Sequence, residues 1–271
     1  MSGARFSEEL LRMPPQPATA ELVLRLVADP TSTALQLSRA VETDPALAAR
    51  VIRLANSPYY GAPRRVASAQ HAIVLLGRDT VRGIAASAAC SLLDTRADFG
   101  PDGFFRHALA CAAASSVVAM RVGLSPADAF SAGLLHDLGA ILLHHRDPEA
   151  FANAQRQRSM SEIVAAELKA FGMTHAQAGA AALEAWGFPS AFVEAVALHQ
   201  HGVEDPVFAL GRVVQVGEAL SLEFEPFAGY PRESHVLALL RTLRLGASDL
   251  DSLRAETERV LERLADQLEA A

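Results

Sequence analysis

Apolar positions recur at three- and four-residue spacing along most of the chain, which is the pattern of amphipathic α-helices. Asp44-Pro45 combines a capping carboxylate with a proline at a first helical position, and the apolar segment ALAARVIRLAN follows. Ser125-Pro126 marks a second start, leading into one long apolar segment, AFSAGLLHDLGAILLHH. No stretch alternates as a β-strand would. The sequence therefore predicts an all-α fold, a compact multi-helix array.

The same spacing predicts most of the remaining helices, with turn signals between them. They span 18–28, 33–42, 69–92, 104–121, 148–157, 160–171, 175–186, 190–200 and 206–222. The C-terminal segment 246–271 predicts a strongly acidic amphipathic helix with its leucines on one side. That helix packs either on its own domain or against a partner or a second copy. We assign it to a C-terminal helical extension, 230–271.

Composition narrows the class of protein. The chain has 271 residues, of which 51% are hydrophobic and 20% charged, with a net charge of −7, so intrinsic disorder is excluded. No signal-peptide segment or uninterrupted apolar run of membrane-spanning length is present, so a soluble cytoplasmic protein without membrane contact is expected. The mild acidity argues against a general nucleic-acid binder.

Arginines nonetheless cluster in one region, where only Asp79 opposes them. They are Arg50, Arg53, Arg64, Arg65, Arg78 and Arg82. Nucleic-acid binding through the helical pair in 33–56 is conceivable, and its affinity would fall steeply with salt. A solvated arginine-rich face is the favoured interpretation.

Histidines and acidic residues inside apolar helices carry the main chemical signal. His136-Asp137 interrupts AGLLHDLGAILL, and burying this pair is costly unless it is paired or bound to a metal. Four more such residues stand in other apolar, alanine- or valine-rich segments: His107, His175, His199 and Glu218. Imidazole and carboxylate ligands from several helices form a typical site for zinc, manganese or iron, and open positions could activate water for phosphoester hydrolysis. Each histidine alone could equally be a satisfied core residue.

Several segments, in order, resemble one family. They are MPPQPATA, DPALAARVIRLANSPYYG, VASAQHAIVLLGRDTVRGIA, FFRHALACAAAS, AFSAGLLHDLGAILL, THAQAGAAALEAWGFP and FVEAVALHQH. They are similar to the HDOD family, the HD-related output domain of bacterial signalling proteins, which is related to HD-type metal phosphohydrolases. The resemblance implies an HD-domain-like helical core within a domain at 8–222, divided into an N-terminal half, 8–100, and an HD-like half, 101–222.

The resemblance also implies a ligand set. The HD pattern maps onto His136 and Asp137, with His107, His175 and His199 as the additional histidines of binuclear versions. The closing aspartate falls at Glu218, one methylene longer. One or two divalent ions are implied, with iron or manganese preferred over zinc.

Three departures from active HD hydrolases weigh against catalysis. Ala140 occupies the position of a lysine that can contact phosphate, and the only lysine is Lys169. Gln200 replaces the second histidine of a His-His pair, with His201 one place late. The segment HGVEDPVFAL contains no Gly-Tyr-Pro loop. Phosphate stabilisation would then depend on an arginine such as Arg106.

The functional expectation is a non-catalytic regulatory output module that acts through a protein partner of a signalling pathway. The turn bearing Tyr59, Tyr60, Arg64 and Arg65 is the candidate partner site, since aromatic and arginine side chains are enriched in interface cores. Alternatively, the tyrosines cap the core and the arginines are solvated. The alternative function is a metal-dependent phosphohydrolase acting on a nucleotide or cyclic dinucleotide, which would make a nucleotide its ligand.

Overall fold

In a computed structural model, every regular element within the described residues is an α-helix. The described residues are 17–56, 65–78, 81, 85, 104–157, 159–185, 188–202, 209–224 and 236–269. The helices are α1 (Pro17–Ala28), α2 (Ala34–Val41), α3 (Pro45–Ala55), α4 (Ala69–Leu76), α5 (Phe104–Val122), α6 (Pro126–Leu135), α7 (Leu138–Arg146), α8 (Pro148–Gln155), α9 (Met160–Phe171), α10 (His175–Ala185), α11 (Ser190–Ala197), α12 (Ala209–Phe224), α13 (Val236–Thr242) and α14 (Ala247–Glu269). The predicted all-α fold class is confirmed.

The helix starts follow from local capping chemistry. A side-chain oxygen of Asp44 accepts hydrogen bonds from the main-chain N–H groups of Ala46, at 2.8 Å, and Leu47, at 3.1 Å. The Ser125 hydroxyl accepts one from Asp128 N–H, at 3.2 Å. Each bond satisfies a donor that the first turn of a helix leaves unpaired, which is why these short polar residues fix α3 and α6 in the sequence.

The prediction of one long helix after Ser125 is wrong. It divides at His136 and Asp137, so that α6 ends at Leu135 and α7 begins at Leu138. Asp137 makes no capping hydrogen bond with its side chain. The break leaves this carboxylate available for other contacts, which the unbroken apolar pattern of the sequence did not indicate.

Two other predicted helix ends also differ from the structure, and one helix was not predicted. Helix α4 stops at Leu76, because Gly77 takes a left-handed backbone with φ of 76°, and most of the predicted extension to residue 92 lies outside the described residues. Helix α11 ends at Ala197 rather than at residue 200, and residues 198–200 form a turn. Helix α13 was not predicted as a separate element.

Two glycines allow helices to approach closely around the polar residues of the interior. A Cβ at Gly139 in α7 would overlap the carbonyl oxygen of His175 in α10. A Cβ at Gly217 in α12 would overlap the hydroxyl of Ser115 in α5. Helix α5 packs against α6, α12 and α14 and takes part in the second of these contacts, whereas the first joins α7 to α10.

The C-terminal helix packs on its own chain. In α14, Leu253 and Thr257 are fully buried, and the helix lies against α5. Arg121 of α5 forms an ion pair with Glu256 and donates a hydrogen bond to the Ser252 hydroxyl at 3.2 Å. Of the two expectations for this helix, the described contacts support packing on its own domain. Among the described residues, no helix is both long and apolar enough to cross a membrane.

The solvated-face interpretation is wrong for Arg78. Its guanidinium donates hydrogen bonds of 2.5–2.9 Å to four main-chain carbonyls at the end of α1 and just beyond it. They belong to Leu26, Val27, Asp29 and Ser32. Arg78 therefore satisfies carbonyls that the last turn of a helix leaves unpaired. Burial lowers the pKa of Arg50, and Arg64 and Arg82 lie outside the described residues.

Candidate metal centre

The carboxylate of Asp137 lies among four imidazole rings that come from four different parts of the fold. Its Oδ2 atom is 3.6 Å from Nε2 of His107 and 3.5 Å from Nε2 of His136. Its Oδ1 atom is 3.6 Å from Nε2 of His175 and 3.3 Å from Nε2 of His199. Each carboxylate oxygen thus faces one pair of histidines.

Within each pair, the two ring nitrogens also face each other. Nε2 of His107 lies 3.3 Å from Nε2 of His136, and Nε2 of His175 lies 3.2 Å from Nε2 of His199. Neighbouring ligand atoms of an octahedral ion with bonds of about 2.1 Å lie about 3 Å apart. The spacing of these donor atoms is therefore that of ligands sharing an ion.

The opposite nitrogen of each ring fixes its orientation. Nδ1–H of His136 donates to the carbonyl of Gly133 at 2.6 Å, and that of His199 donates to the carbonyl of Val196 at 2.7 Å. A carbonyl only accepts, so in the neutral ring Nδ1 holds the proton and Nε2 presents a lone pair to the centre. This arrangement, in which the outer nitrogen is held by a hydrogen bond, is the usual one for metal-binding histidines.

The remaining two rings are anchored by side chains. Nδ1 of His175 lies 2.7 Å from a carboxylate oxygen of Glu167. Nδ1 of His107 lies 3.5 Å from the hydroxyl of Ser221, which itself donates to the carbonyl of Glu218 at 2.7 Å. All four Nε2 atoms are therefore directed to the same place by contacts on their far sides.

Glu218 completes the set of six candidate ligands. One of its carboxylate oxygens lies within 4.8 Å of ring nitrogens of His107 and His136. Gln200 donates a hydrogen bond to Glu218 Oε1 at 2.8 Å. Burial raises the pKa of Glu218 to about 7, and the positive charge of His199 opposes that shift. The structure thus brings together all six residues that the sequence singled out, and their role as metal ligands stays a prediction.

The charges of the centre call for a cation. In the described part of the chain, the oxygens of Asp137 have no hydrogen-bond partner other than the imidazole rings. Burial tends to raise the pKa of this carboxyl, but His136 and the other rings bring it well below its usual range. A buried carboxylate without hydrogen bonds is costly unless a positive charge compensates it. The donor set therefore fits divalent metal ions.

The rings respond to this environment in opposite ways. Burial lowers the pKa of His136 to about 3, against an opposing effect of Asp137. Burial also disfavours the charged form of His199, but Asp137 and Glu218 outweigh it and raise the pKa to about 9. Without a metal, a proton on His199 thus supplies part of the positive charge that the carboxylates require. A metal ion would displace that proton.

Sequence reasoning missed the residues that support the ligands. Glu167 is fully buried, and it accepts hydrogen bonds from the main-chain N–H of His175, at 2.9 Å, and from the side-chain amide of Gln155, at 3.0 Å. Gln215 donates to the carbonyls of Leu198 and His201 and so holds the turn around His199. A glutamate in an amphipathic helix such as α9 carries no signal that separates it from a surface residue.

Other predicted positions lie apart from the centre. Tyr59, Tyr60 and Arg64 lie outside the described residues, and Arg65 is exposed, with a 3.5 Å hydrogen bond to the carbonyl of Asn56. The partner-binding turn therefore stays a prediction. Ala140 is fully buried in α7, whereas His201, Lys169 and Arg106 are exposed.

The centre is enclosed. His107, His136, Asp137 and His175 have no exposed surface, and His199 and Glu218 are 3% and 7% exposed. Among the described residues, the candidate ligands therefore form a largely buried cluster, in which Glu218 retains the most exposed surface.

Comparisons with known proteins agree with this description. The family model "HDOD domain" matches residues 13–202. The MmoQ response regulator from Methylococcus capsulatus strain Bath is 29% identical, and the match covers 90% of this chain and 98% of that chain with a TM-score of 0.70. No curated protein matches the chain.

Two more distant structures share the fold. A virulence factor from Campylobacter jejuni is 18% identical, with 98% of this chain and 96% of that chain covered and a TM-score of 0.63. A candidate phosphohydrolase from Shewanella amazonensis SB2B is 22% identical, with 99% and 98% covered and a TM-score of 0.53. At these identities the likeness extends to the fold alone.

Proposed function

The chain belongs to the HDOD family, and from this premise we propose that it is a non-catalytic signalling module that holds two divalent metal ions in an enclosed centre and acts through a protein partner. His107, His136 and Glu218 would hold one ion, and His175 and His199 the other. Asp137 would contribute one carboxylate oxygen to each. The resemblance to a response regulator supports the signalling role.

The observation that carries the proposal is the position of Asp137. In the described part of the chain, its two oxygens have no hydrogen-bond partner other than the imidazole rings, and each faces the Nε2 atoms of two histidines at 3.3–3.6 Å. The mixed donor set favours iron or manganese. The ions neutralise the buried carboxylates and link the helices that carry the ligands.

The regulatory role follows from the surroundings of the centre. All six candidate ligands are at most 7% exposed, which favours a buried centre over an open substrate site. Ala140 stands where a lysine could contact phosphate, and Lys169, the only lysine, is exposed on α9. Transfer of a phosphoryl group requires positive groups aimed at its oxygens, in addition to the metal. The centre thus favours a sensing or structural role over turnover.

The protein's own residues perform three tasks in this proposal. The carbonyls of Gly133 and Val196 keep the outer nitrogens of their histidines protonated, so the inner nitrogens bind. Glu167 orients His175. Bound ions would join α5, α10 and α12 with the break between α6 and α7 and the turn after α11. Ion occupancy therefore sets the rigidity of the packing that these elements share, and this rigidity is what a partner would detect.

Metal content tests the proposal directly. The full-length protein is purified without oxygen from cells supplied with iron and manganese, and its metals are measured by mass spectrometry. We expect two ions per chain, and a near-complete loss in Asp137→Asn. His201→Ala is the matched control, because His201 is exposed beside the centre, and it should retain both ions. A metal-free wild-type protein would refute the proposal.

A hydrolysis screen separates this proposal from its alternative. The metal-loaded protein is incubated with nucleotides and cyclic dinucleotides, and product release is followed. We expect no turnover. Turnover that disappears in Asp137→Asn but persists in His201→Ala would instead make the protein a metal-dependent phosphohydrolase.

A further inference from the structure

A second candidate site lies away from the metal centre, where three parts of the chain meet. A cavity of about 230 Å³ is lined by residues of α2 and its C-terminal end, α4, α5, α6 and α14. The N-terminal helices, the central helix and the C-terminal helix all contribute to it. Pockets for small ligands occur preferentially at such junctions. We call this cavity the junction pocket.

Glu42 is the unusual group in the junction pocket. It is only 9% exposed, and its main-chain N–H ends α2 by donating to the carbonyl of Ser38 at 2.8 Å. Within the described residues, its carboxyl group has neither a hydrogen bond nor an ion pair. Burial raises the pKa of Glu42 to about 8, against a smaller opposing effect of Arg39. A buried polar group without a partner is costly, and in a cavity it points to a ligand.

The other polar groups of the junction pocket divide into acceptors inside and donors at its mouth. The hydroxyl of Ser38 donates to the carbonyl of Leu35 at 3.0 Å, and that of Ser116 donates to the carbonyl of Ala113 at 2.7 Å. Both protons are thereby used, and the hydroxyl oxygens can only accept from a ligand. Arg39 and Gln70 line the pocket from exposed positions, where they can donate. The hydroxyl oxygens therefore suit a ligand group that donates hydrogen bonds, and a cationic donor beside Glu42 would favour its charged form. The outer end of the ligand meets the donors of Arg39 and Gln70.

The remaining walls are apolar. Leu35, Phe130 and Val260 face the cavity, and Leu35 is 44% exposed. Ligand pockets commonly measure about 300–1,000 Å³, so this smaller cavity suits a small molecule. Arg39 and Glu42 lie three positions apart at the end of α2, so charge, size and polarity together suit a small molecule that carries a cationic and an anionic group close to each other, beside an apolar part.

We propose that the junction pocket binds a free α-amino acid with an apolar side chain, whose ammonium group pairs with Glu42 and whose carboxylate pairs with Arg39. The side chain packs against Leu35, Phe130 and Val260. Because the ligand touches α2, α6 and α14 together, its binding tightens the junction of the three parts. This site is separate from the metal centre and gives the module an input of its own.

Calorimetric titration of the metal-loaded full-length protein tests this proposal. The probes are L-leucine and L-phenylalanine, with isoamylamine and N-acetyl-L-leucine as analogues that lack the carboxylate and the ammonium group. We expect saturable binding of at least one amino acid, and at least tenfold weaker binding of both analogues. Saturable binding of neither amino acid would overturn the proposal, as would N-acetyl-L-leucine binding as tightly as L-leucine.

Variants of single residues test whether the amino acid binds in the junction pocket. Glu42→Gln should weaken amino-acid binding at least tenfold, whereas Glu258→Gln, at an exposed position of α14, should not change it. Equal affinity of wild type and Glu42→Gln would place binding elsewhere and refute the site. Arg39→Gln changes an exposed side chain, so it provides a test even if Glu42→Gln fails to fold. It should weaken binding of L-leucine without affecting isoamylamine, and an unchanged affinity for L-leucine would exclude the proposed orientation.

Discussion

Nδ1 of His175 lies 2.7 Å from Oε2 of Glu167, and both side chains are fully buried. The second oxygen of Glu167 accepts from Gln155, so this carboxylate is held on both sides. A carboxylate that accepts from Nδ1–H fixes the ring and makes Nε2 a better electron donor. The relationship connects α8 and α9 to the candidate metal centre, although neither helix supplies a candidate ligand.

Glu167→Gln should weaken metal binding while leaving the six ligands in place. Loss of such a supporting partner typically costs about 10–100-fold in metal affinity. Titration of the metal-free protein with Mn²⁺, followed by calorimetry, measures the change. Glu184→Gln is the control, because Glu184 is exposed on α10. A Mn²⁺ affinity equal to that of the wild-type protein would show that Glu167 does not support metal binding through His175.

Gly139→Ala should disrupt both packing and metal binding. The new Cβ would overlap the carbonyl of His175 and force α7 away from α10, at a cost of about 1–3 kcal/mol or more. Chemical denaturation measures this cost, and metal analysis should show a loss of ions. In the comparison variant Gly179→Ala, the Cβ would lie 3.1 Å from Gly139 N and 3.2 Å from a methyl of Val196, so a smaller effect is expected. The reverse order of stabilities would contradict this account of the helix approach.

Removal of the metal should destabilise the protein. A ligand at about 100 times its Kd stabilises the folded state by about 2.7 kcal/mol, and for a protein of this size 1 kcal/mol shifts Tm by about 2–4 °C. We therefore expect chelation to lower Tm by about 5–10 °C, as measured by calorimetric scanning. Asp137→Asn should show little further shift on chelation. An unchanged Tm for the wild-type protein would mean that the ions contribute nothing to its stability.

Arg78→Ala should destabilise the N-terminal helices. It removes the donor for four carbonyls around the end of α1, and hydrogen bonds to charged groups contribute about 1.5–3 kcal/mol each when lost singly. We expect a loss of at least about 2 kcal/mol in the free energy of unfolding. Arg25→Ala serves as the control, since Arg25 is exposed on α1. Equal stability of the two variants would show that the hydrogen bonds of Arg78 do not stabilise the fold and that it behaves as a solvated arginine.

Arg65→Glu should weaken binding of the signalling partner. Arg65 is exposed. If it lies in the interface, reversing its charge would replace attraction to a complementary group of the partner by repulsion. A pull-down with the wild-type protein identifies the partner, and its retention is then compared for Arg65→Glu, Tyr60→Ala and the control Arg25→Glu. Full retention by both Arg65→Glu and Tyr60→Ala would exclude this turn as the docking site.

Much of the candidate centre could be predicted, because a charged or imidazole side chain in an apolar helix is costly without a purpose. That cost singled out His136, Asp137 and Glu218 before any geometry was known. The resemblance then supplied a common role for them. The same reasoning could not find Glu167, since a glutamate in an amphipathic helix is ordinary until packing buries it. It also passed over Glu42, for the same reason.

The sequence by itself determined the helical class and many of the helix starts, because capping residues such as Asp44 and Ser125 act on main-chain groups only a few positions away. It did not determine the break at His136 and Asp137 or the pairing of two histidines with each oxygen of Asp137. Those features depend on residues far apart in the chain, from His107 to Glu218, and on the close approach that Gly139 permits. Helix packing alone sets such distances, and it places the donors near enough to share an ion.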